Sequence, residues 1–540
     1  MHTLILPLNV TDKEDALLNK RFNLLAREHN ILVKHAKFLL KRIHENKWYQ
    51  KNLTILVSTN KRIEEIEKYL ADPKTEKVVI KALKAELKEK KALSKQISTE
   101  LSDYRERIGL TKTGLEKYAK KFQNKYKHHI SSHISQNEVN HVWAGVEKVL
   151  FDGSKDIHYK KFNDLRTIGS KSAKNGICFY DKTLNISYTK QKATKSHKTG
   201  IIYMGLDLEV VKGTSEKEIK YETASLMNKV KTCAIKREMF AGGWRYYLIL
   251  TLDGDAPKKF EMGNAVAGND PGVSTFAYVS DNCVAFEELA PRCKEYNKQI
   301  AELQRKIDRS KRKSNPNNYN ENGTIKKGKH TWVLSNNCKK LKRKLKILYR
   351  KKREYTRHEH NYRANRVIQD ASTFITEEMD FAALAKRSKK DAERSEKETV
   401  ITLKDGTTKT VHKFKKKKRY GKSINDRSPT LQLQIIQRKM AQYCGFYYEV
   451  NTKKYKASQY DHIKNECIKV PLAQRFKDIG GHIVQRDLYS AFLIRNSSDD
   501  LQCINTEMCI ATFGEFLKNH DACIQFLKEN DFHMPGCVGF

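Results

Sequence analysis

The sequence lacks the features of membrane, secreted and zinc-ribbon proteins. No apolar run approaches the roughly 18–20 residues that a membrane-spanning helix needs, and the longest runs, such as 201–211, have the length of strands. Residues 1–9 contain no basic stretch followed by an apolar core and a cleavage site, so secretion is not expected. The 11 cysteines form no CxxC pair, which predicts reduced thiols rather than a disulfide scaffold or an intact zinc ribbon.

Negative charge is also scarce. The chain has 63 Asp and Glu against 105 Lys and Arg, a formal net charge of +42, and only 39% of its 540 residues are hydrophobic. Like charges at this density repel one another in a compact chain unless a polyanion neutralises them. The composition therefore predicts a nucleic-acid-binding protein of three or four domains, each with a modest core.

The pattern of apolar residues changes along the chain. Thr11 and Glu14 form a capping-box signature, and leucines at helical spacing continue to about residue 150. Short β-type runs separated by polar or glycine-containing turns follow between about 155 and 260. We expect a helical first third, then a β-rich module into which the N-terminal strand, residues 3–10, pairs.

Two stretches are densely basic. Residues 301–360 hold 20 Lys and Arg against 5 Asp and Glu, in helices predicted at Asn297–Arg309 and Asn337–His358 around a loop at Ser314–Gly328. A second basic loop spans His412–Lys422, after a polar insertion that begins near residue 386. Each run has a solvated surface as its alternative, but two of them in so basic a chain favour phosphate contact. The predicted nucleic-acid-binding residues are Lys339, Lys340, Lys342, Arg343, Lys344, Arg350, Lys351, Lys352, Arg353, Lys415, Lys416, Lys417, Lys418 and Arg419.

Asp270 is the first of three acidic residues placed at the ends of predicted strands. It stands in AVAGNDPGVSTFAYVSDN, residues 265–282, between two apolar β-type runs, with Pro271 and Gly272 supplying a turn. A simple turn residue is the alternative interpretation of this position.

Glu377 and Asp487 are the other two acidic positions. ASTFITEEMDFAALAK, residues 371–386, is a β-type run that ends in Glu377 and Glu378, and GGHIVQRDLYSAFLIRNSS, residues 480–498, places Asp487 between a short strand and a helix. Helix capping is the alternative for Glu378 and Asp380, before a helix that starts near Asp380, and for Asp487. Three carboxylates from separate segments are what a two-metal phosphodiester hydrolase requires, because Mg²⁺ prefers carboxylate and phosphate oxygens.

The three motifs together resemble the split RuvC nuclease of TnpB proteins, Fanzor proteins and type V CRISPR effectors. GNDPGVSTFAYV resembles the first RuvC motif, FITEEMDF the second and GHIVQRDLYSA the third. In the third motif Gly481, Arg486, Asp487 and Ala491 match the family pattern, while Gln485 replaces its first Asp. The resemblance runs in order along the whole chain.

The resemblance implies the roles of the site residues. Asp270, Glu377 and Asp487 would be catalytic and would bind two Mg²⁺ ions. Whether Glu377 or Glu378 faces the metal ions depends on strand register, since a slip of one residue reverses it.

The zinc ribbon that TnpB proteins carry between the second and third motifs is degenerate in this sequence. Residues 450–481 contain only Cys467, with Cys444 just before them, and His462 and His482 nearby. A closed structural zinc site needs about four ligands. No structural zinc is expected, and ordinary packing or nucleic-acid contact would hold this segment.

The implied fold class is multidomain α+β, with an RNase H-like (RuvC) mixed α/β nuclease domain, a helical recognition lobe and a β-barrel-like wedge module. The expected domains are a first wedge strand at 1–15, the helical recognition domain at 16–155, the wedge domain at 156–262, RuvC motifs I and II with basic bridging helices and an insertion (386–422) at 263–440, the zinc-ribbon-like nucleic-acid-binding segment at 441–480, and RuvC motif III with a C-terminal tail at 481–540.

The implied function is RNA-guided DNA cleavage. A guide RNA would pair with target double-stranded DNA beside a short motif read by the protein, and the single RuvC site would then cut DNA, with a displaced single strand as a further partner. The alternatives are a guide-dependent DNA-binding protein that does not cut, and a guide-independent RuvC-type nuclease or recombinase. We expect a cytoplasmic, nucleoid-associated protein of a prokaryotic cell, as a monomer or homodimer.

Overall fold

The computed structural model describes residues 1–71, 77–161, 163–181, 186–187, 200–385, 394–402, 407–414, 420–471 and 474–530. The chain divides into two compact units, Met1–Pro257 and Lys258–Phe540, each with helices and sheets. The protein is thus a mixed α/β multidomain chain. Within the described ranges, no helix combines the length and the apolar character needed to cross a membrane.

The first unit joins a helical bundle to one large sheet. Its helices are α1 (Asp12–Glu45), α2 (Lys47–Ala71), α3 (Lys77–Arg107), α4 (Lys112–Lys125), α5 (Ser132–Leu150) and α6 (Glu216–Leu226). Its strands are β1 (His2–Asn9), β2 (Thr167–Gly169), β3 (Ile177–Asp181), β4 (Ile186–Ser187), β5 (Gly200–Tyr203), β6 (Leu206–Val210), β7 (Val230–Phe240) and β8 (Gly243–Leu252).

Helix α1 links the two cores of this unit. The predicted capping box is confirmed, since the Thr11 side chain accepts from the backbone N–H of Glu14 and the Glu14 carboxylate accepts from that of Thr11. One buried stripe of α1 packs Leu18 and Phe22 into the core of the sheet, and its later part packs Leu32 and Leu39 against the other helices. A single amphipathic helix therefore connects bundle and sheet.

The sheet of the first unit has the strand order β2-β7-β8-β1-β6-β5-β3-β4. The predicted pairing of the N-terminal strand is confirmed, because β1 lies antiparallel between β8 and β6. The Cys233 thiol of β7 lies beside Phe179 and Cys178 of β3. The sheet therefore curls so that two strands distant in its order approach each other.

The second unit is built around a mixed sheet with strand order β11-β10-β9-β12-β15. Its strands are β9 (Ala265–Pro271), β10 (Thr275–Ser280), β11 (Val284–Glu288), β12 (Ala371–Glu377), β13 (Arg394–Thr402), β14 (Thr408–Phe414), β15 (Phe446–Val450), β16 (Tyr460–Asp461), β17 (Glu466–Cys467), β18 (Phe476–Ile479) and β19 (His482–Gln485). Its helices are α7 (Cys293–Ser314), α8 (Asn336–Asp370), α9 (Phe381–Ala385), α10 (Gly421–Arg427), α11 (Pro429–Tyr443), α12 (Thr452–Tyr455), α13 (Arg486–Arg495) and α14 (Thr506–Glu529).

Helices cover both faces of this sheet. Strands β9, β10 and β11 form an antiparallel meander, and β12 and β15 then add parallel to β9. One face packs against α13 and α14, in a core that includes Val279, Ile375 and Leu488. The other face packs against α8 and α11, in a core that includes Phe374 and Ile436.

Candidate active site

Asp270 and Glu377 lie at the same end of two neighbouring parallel strands. Asp270 is the next-to-last residue of β9, and Glu377 is the last residue of β12. The register pairs Thr376 with Asn269, which brings the two acidic residues to the same level. Asp270 is thus a strand residue, paired with Ala277 of β10, rather than a residue of the turn itself.

Asp487 reaches these strands because α13 lies directly on β9. A Cβ atom at Gly268 would stand 2.1 Å from the carbonyl oxygen of Ala491 and 2.3 Å from the backbone nitrogen of Arg495, so only glycine allows this contact. Gly268 and Asp270 are two residues apart and point to the same face of the strand. Asp487 lies in the first turn of α13, one turn before Ala491.

The register separates Glu377 from Glu378. Glu377 shares its strand face with Ile375, which packs in the core beneath α13, and its side chain is 8% exposed. Glu378 is exposed, beyond the end of the strand, where its backbone N–H donates to the carbonyl of Val450. Glu377 is therefore the one that faces Asp270. Sequence alone could not decide this point, because it depends on pairing with a strand about 100 residues away.

Two buried polar residues fix the opposite face of the strand pair. Thr376 Oγ1 donates to Asn269 Oδ1 at 3.1 Å, and Asn269 Nδ2 donates to the carbonyl of Ala277 at 2.7 Å. Both side chains are fully buried. Each precedes an acidic residue, so this hydrogen-bonded bridge ties the backbones that carry Asp270 and Glu377. The sequence analysis did not single out either residue.

The electrostatics show that Asp487 and Glu377 act on Asp270. Burial, together with the charges of Asp487 and Glu377, raises the pKa of Asp270 well above its usual range, and Arg486 opposes this only in part. Burial raises the pKa of Glu377 to about 7. Both groups are thus held where ionisation is unfavourable, which is typical of a site that awaits a cation.

Arg486 is the cation beside these carboxylates. Its Nη2 donates to Asp487 Oδ1 at 3.3 Å and its Nη1 to the carbonyl of Gln474 at 3.4 Å. The helix cap is Gln485, whose side-chain oxygen accepts from the N–H of Leu488 at 2.8 Å. The interpretation of Asp487 as the cap is therefore wrong, because the cap lies two residues earlier and Asp487 is already inside α13.

His520 supports this turn from α14, and the sequence analysis missed it. Its Nε2 accepts from the backbone N–H of Gln485 at 2.9 Å, and its Nδ1 lies 2.8 Å from a carboxylate oxygen of Asp521. The imidazole is buried, and the cap of α13 is thereby fixed to the neighbouring helix.

The donor chemistry of the carboxylate cluster fits a hard cation such as Mg²⁺, which prefers oxygen ligands. Among the described residues, however, no three His, Cys, Asp or Glu side chains stand close enough to bind one ion together as they are placed. The structure thus brings the charges into interaction without closing a ligand set, and Asp487 is held by Arg486.

The basic helix α8 supplies an exposed row of cations. The structure extends the two predicted helices to α7 and α8, with a short 3-10 turn at Pro316–Asn318 between them. Arg350 is buried and forms an ion pair with Glu354, and Lys352 binds Asp426 at 2.6 Å. These two are structural residues rather than surface cations. The exposed predicted contacts are Lys339, Lys340, Lys342, Arg343, Lys344, Lys351 and Arg353.

Of the second basic loop, predicted at His412–Lys422, residues Lys415–Arg419 lie outside the described residues, while its first residues belong to β14 and its last to α10. The predicted insertion, 386–422, includes the antiparallel hairpin β13–β14. The predicted zinc-ribbon-like segment, 441–480, contributes β15 to the central sheet and then forms α12, the strand pair β16–β17 and β18, which pairs with β19 just after the segment. There, His462 Nδ1 lies 2.8 Å from the hydroxyl of Tyr489, and Cys444 and Cys467 are both exposed.

Comparisons with known proteins place few constraints on this chain. No protein-family model matches it, and no curated protein matches it. Among solved structures it is similar to a cryo-EM structure of a CRISPR-Cas12f ternary complex, with 12% identity over 92% of this chain and 99% of that one and a TM-score of 0.22.

Proposed function

We propose that the protein is an RNA-guided DNA endonuclease with one RNase H-like nuclease site. Asp270, Glu377 and Asp487 would hold divalent metal ions, and the surrounding basic surface would hold guide RNA and DNA. The mixed sheet, with acidic residues at the ends of two parallel strands and at the start of the helix packed on them, supports this assignment.

One observation carries the nuclease part of the proposal. Asp270 is a carboxyl group whose pKa is raised by burial and by two other carboxylates from distant segments. A fold gains no stability from such a cluster, because each ionised group repels the others. Groups held at this cost are concentrated at functional sites.

Bound Mg²⁺ ions would supply an activated water and stabilise the leaving oxygen of the phosphodiester. The chain's own residues orient the carboxylates for that role. The bridge of Asn269 and Thr376 aligns the two strands, and Gly268 lets α13 approach. Arg486 neutralises part of the charge on Asp487.

The nucleic-acid part of the proposal is supported by charge. A net +42 and the exposed cations of α8 match the phosphate backbone, whose neutralisation dominates nucleic-acid affinity. The requirement for a guide RNA comes from the family resemblance of the three motifs and needs its own test.

The nuclease site is tested by separate Asp270→Ala and Asp487→Ala variants. We expect each to abolish Mg²⁺-dependent cleavage of DNA and to leave nucleic-acid affinity within about twofold of wild type. Glu515→Ala, which removes an exposed carboxylate from α14 in the same unit, is the matched control and should cleave normally. Undiminished cleavage by the Asp270 or Asp487 variant would contradict the site assignment.

The guide is tested by sequencing the RNA that stays bound when the protein is expressed with its native flanking DNA and purified at high salt. One discrete RNA is the expected result. Heterogeneous RNA would favour the guide-independent nuclease, and guide-dependent binding of matched DNA without cutting would favour the protein that acts by occupancy.

A further inference from the structure

The short helix α10 contacts the two chain segments that follow the acidic strands β9 and β12. The Ser423 hydroxyl donates to the carbonyl of Val273 at 3.3 Å, in the turn between β9 and β10. Gly421 packs on Ala385 of α9, the helix that follows β12, and a Cβ atom at Gly421 would stand 3.3 Å from the carbonyl oxygen of Ala385. One helix therefore touches the chain just beyond two of the carboxylates.

The basic helix α8 binds the other end of α10. Lys352 Nζ donates to Asp426 Oδ1 at 2.6 Å, and the buried imidazole of His360 donates from Nε2 to the carbonyl of Arg427 at 2.8 Å. Asn297 of α7 completes the first contact, because its Nδ2 donates to Asp426 Oδ2 at 2.8 Å and its Oδ1 accepts from Lys352 at 2.9 Å. Asp426 and Arg427 are buried, so water does not compete for these bonds.

The Arg427 side chain connects the two ends of α10. Its Nη1 donates to Ser423 Oγ at 3.2 Å, one turn earlier, and its Nη2 donates to the buried carboxylate of Glu288 at the end of β11. Ser423 accepts this bond and donates its own proton to Val273. A connected set of contacts thus runs from α8, through α10, to the turn that follows Asp270.

These contacts contribute little to the hydrophobic core. The helix α10 has seven residues, and its buried residues are Asp426 and Arg427, both charged. Burial of apolar surface is what chiefly stabilises a fold, and a buried ion pair is weak evidence of stabilisation. The directional contacts of α10 therefore suit a role in holding chain segments in place.

The part of α8 that binds α10 also carries exposed cations. Lys351 and Arg353, on either side of Lys352, are exposed and are among the predicted nucleic-acid contacts. Nucleic acid bound to these side chains would restrain the turn of α8 that holds Lys352. Restraint at one end of a connected set of contacts lowers the conformational freedom that remains to be lost at the other.

We propose that α10 positions the strand ends that carry Asp270 and Glu377, with Ser423 as its positioning residue, and that nucleic acid on α8 orders these ends through the Lys352–Asp426 pair. The carboxylates would then be ready for metal ions when nucleic acid is bound. The proposal rests on the proposed nuclease function for its purpose, but the ordering is measured without cleavage. The alternative is that the same contacts only stabilise the fold.

The first test is hydrogen exchange of the full-length protein by mass spectrometry, in EDTA, with and without a 20-base-pair DNA duplex. The variants are Ser423→Ala, Ser423→Thr, which keeps the hydroxyl, and Lys352→Met/Asp426→Leu, which removes both charges so that neither is left buried alone. Ser372→Ala is the matched control. The Ser372 hydroxyl donates to the carbonyl of Asn264 at 3.2 Å, at the end of β12 far from the candidate site.

We expect Ser423→Ala to speed exchange in residues 270–276 roughly 2- to 10-fold, because a hydrogen bond that holds this turn is lost. Ser423→Thr and Ser372→Ala should leave exchange in residues 270–276 unchanged. In the wild type the duplex should slow exchange in residues 270–276 as well as on α8. In the double variant it should slow exchange on α8 alone.

The second test separates positioning from stability. It measures the Mg²⁺ dependence of cleavage, with DNA matched to the RNA that copurifies. Ser423→Ala should raise the Mg²⁺ concentration for the half-maximal rate and lower the maximal rate, each roughly 2- to 10-fold, at unchanged KM for DNA. Ser423→Thr should restore both values. Ser372→Ala loses an equivalent hydrogen bond and should cleave as wild type does.

Equal exchange in residues 270–276 of Ser423→Ala and Ser372→Ala would overturn the proposal. Faster exchange spread evenly over β9, β10 and β11 would also overturn it, since the contacts would then only stabilise the fold. So would a duplex that leaves α8 unprotected, or one that protects residues 270–276 equally in the double variant. Failure of the nuclease assignment gives a different result, because Asp270→Ala would then cleave normally whatever the exchange shows.

Discussion

Glu377→Gln should make the protein more stable above neutral pH while it destroys the proposed nuclease site. The pKa of Glu377 is about 7 against an ordinary 4.5, so between these values the folded state binds more protons than the unfolded state. The stability of the wild type therefore falls as pH rises from about 4.5 to about 7, and stays lower above that. At about 1.4 kcal/mol per pKa unit, ionisation of Glu377 lowers the free energy of unfolding by about 3 kcal/mol.

Replacement by glutamine removes this cost and keeps the size of the side chain. Above pH 7 the variant should be more stable than wild type by about 3 kcal/mol, a rise in melting temperature of roughly 6–12 °C for a unit of this size. Near pH 4.5 the two proteins should melt together. Scanning calorimetry in EDTA from pH 5 to 8 measures the difference, and Mg²⁺ should stabilise wild type more than the variant.

Glu287→Gln is the matched control, with the opposite sign. Glu287 binds Arg363 at 2.7 Å and Arg366 at 2.5 Å, and these guanidinium groups hold its pKa below the usual value. Its contribution to stability is present above the unfolded pKa and is lost as pH falls, so its removal should destabilise the protein at pH 7. If Glu377→Gln had the same melting temperature as wild type at every pH from 5 to 8, burial would not disfavour the ionised form of Glu377, and the reasoning would be refuted.

Two more substitutions test the packing that positions the site and the helical bundle. Gly268→Ala should destabilise the second unit by about 1–3 kcal/mol or more and reduce cleavage, because its Cβ would meet the backbone of α13 at 2.1 Å. Gly514→Ala is the control: a Cβ there meets nothing within 4 Å, so the variant should cleave normally and, as a change inside α14, gain up to about 1 kcal/mol of stability. Glu138→Gln should destabilise the first unit by about 3 kcal/mol at pH 7. The reason is that Glu138 is buried beside His29 and His141, which hold its pKa at about 2. Urea unfolding measures the change, and an unchanged unfolding midpoint would contradict this role.

The sequence predicted several local features well. The capping box at Thr11 and the positions of Asp270 and Glu377 at strand ends follow from patterns a few residues long. Such patterns depend on dihedral preferences and alternation, which the neighbouring residues determine.

The features that the sequence could not supply depend on distant partners. The choice of Glu377 needs the register with β9, the need for glycine at 268 needs the backbone of α13, and the role of Gln485 needs His520. The ion pairs of Arg350 and Lys352 could not be predicted either, because the sequence of a lysine-rich helix does not indicate which of its residues face inward.

The separation of the candidate site's segments along the chain also sets the order in which they leave the ribosome. The bridge between β9 and β12 joins residues 107 apart, and Arg495 of α13 reaches Asp281 across 214 residues. At a synthesis rate of about 5–20 residues per second, roughly 10–40 s pass between the two ends of that second contact. The growing chain thus completes its basic first unit well before the third carboxylate of the candidate site leaves the ribosome. Truncated products that stop before residue 487 are basic proteins that lack the third carboxylate of the candidate site.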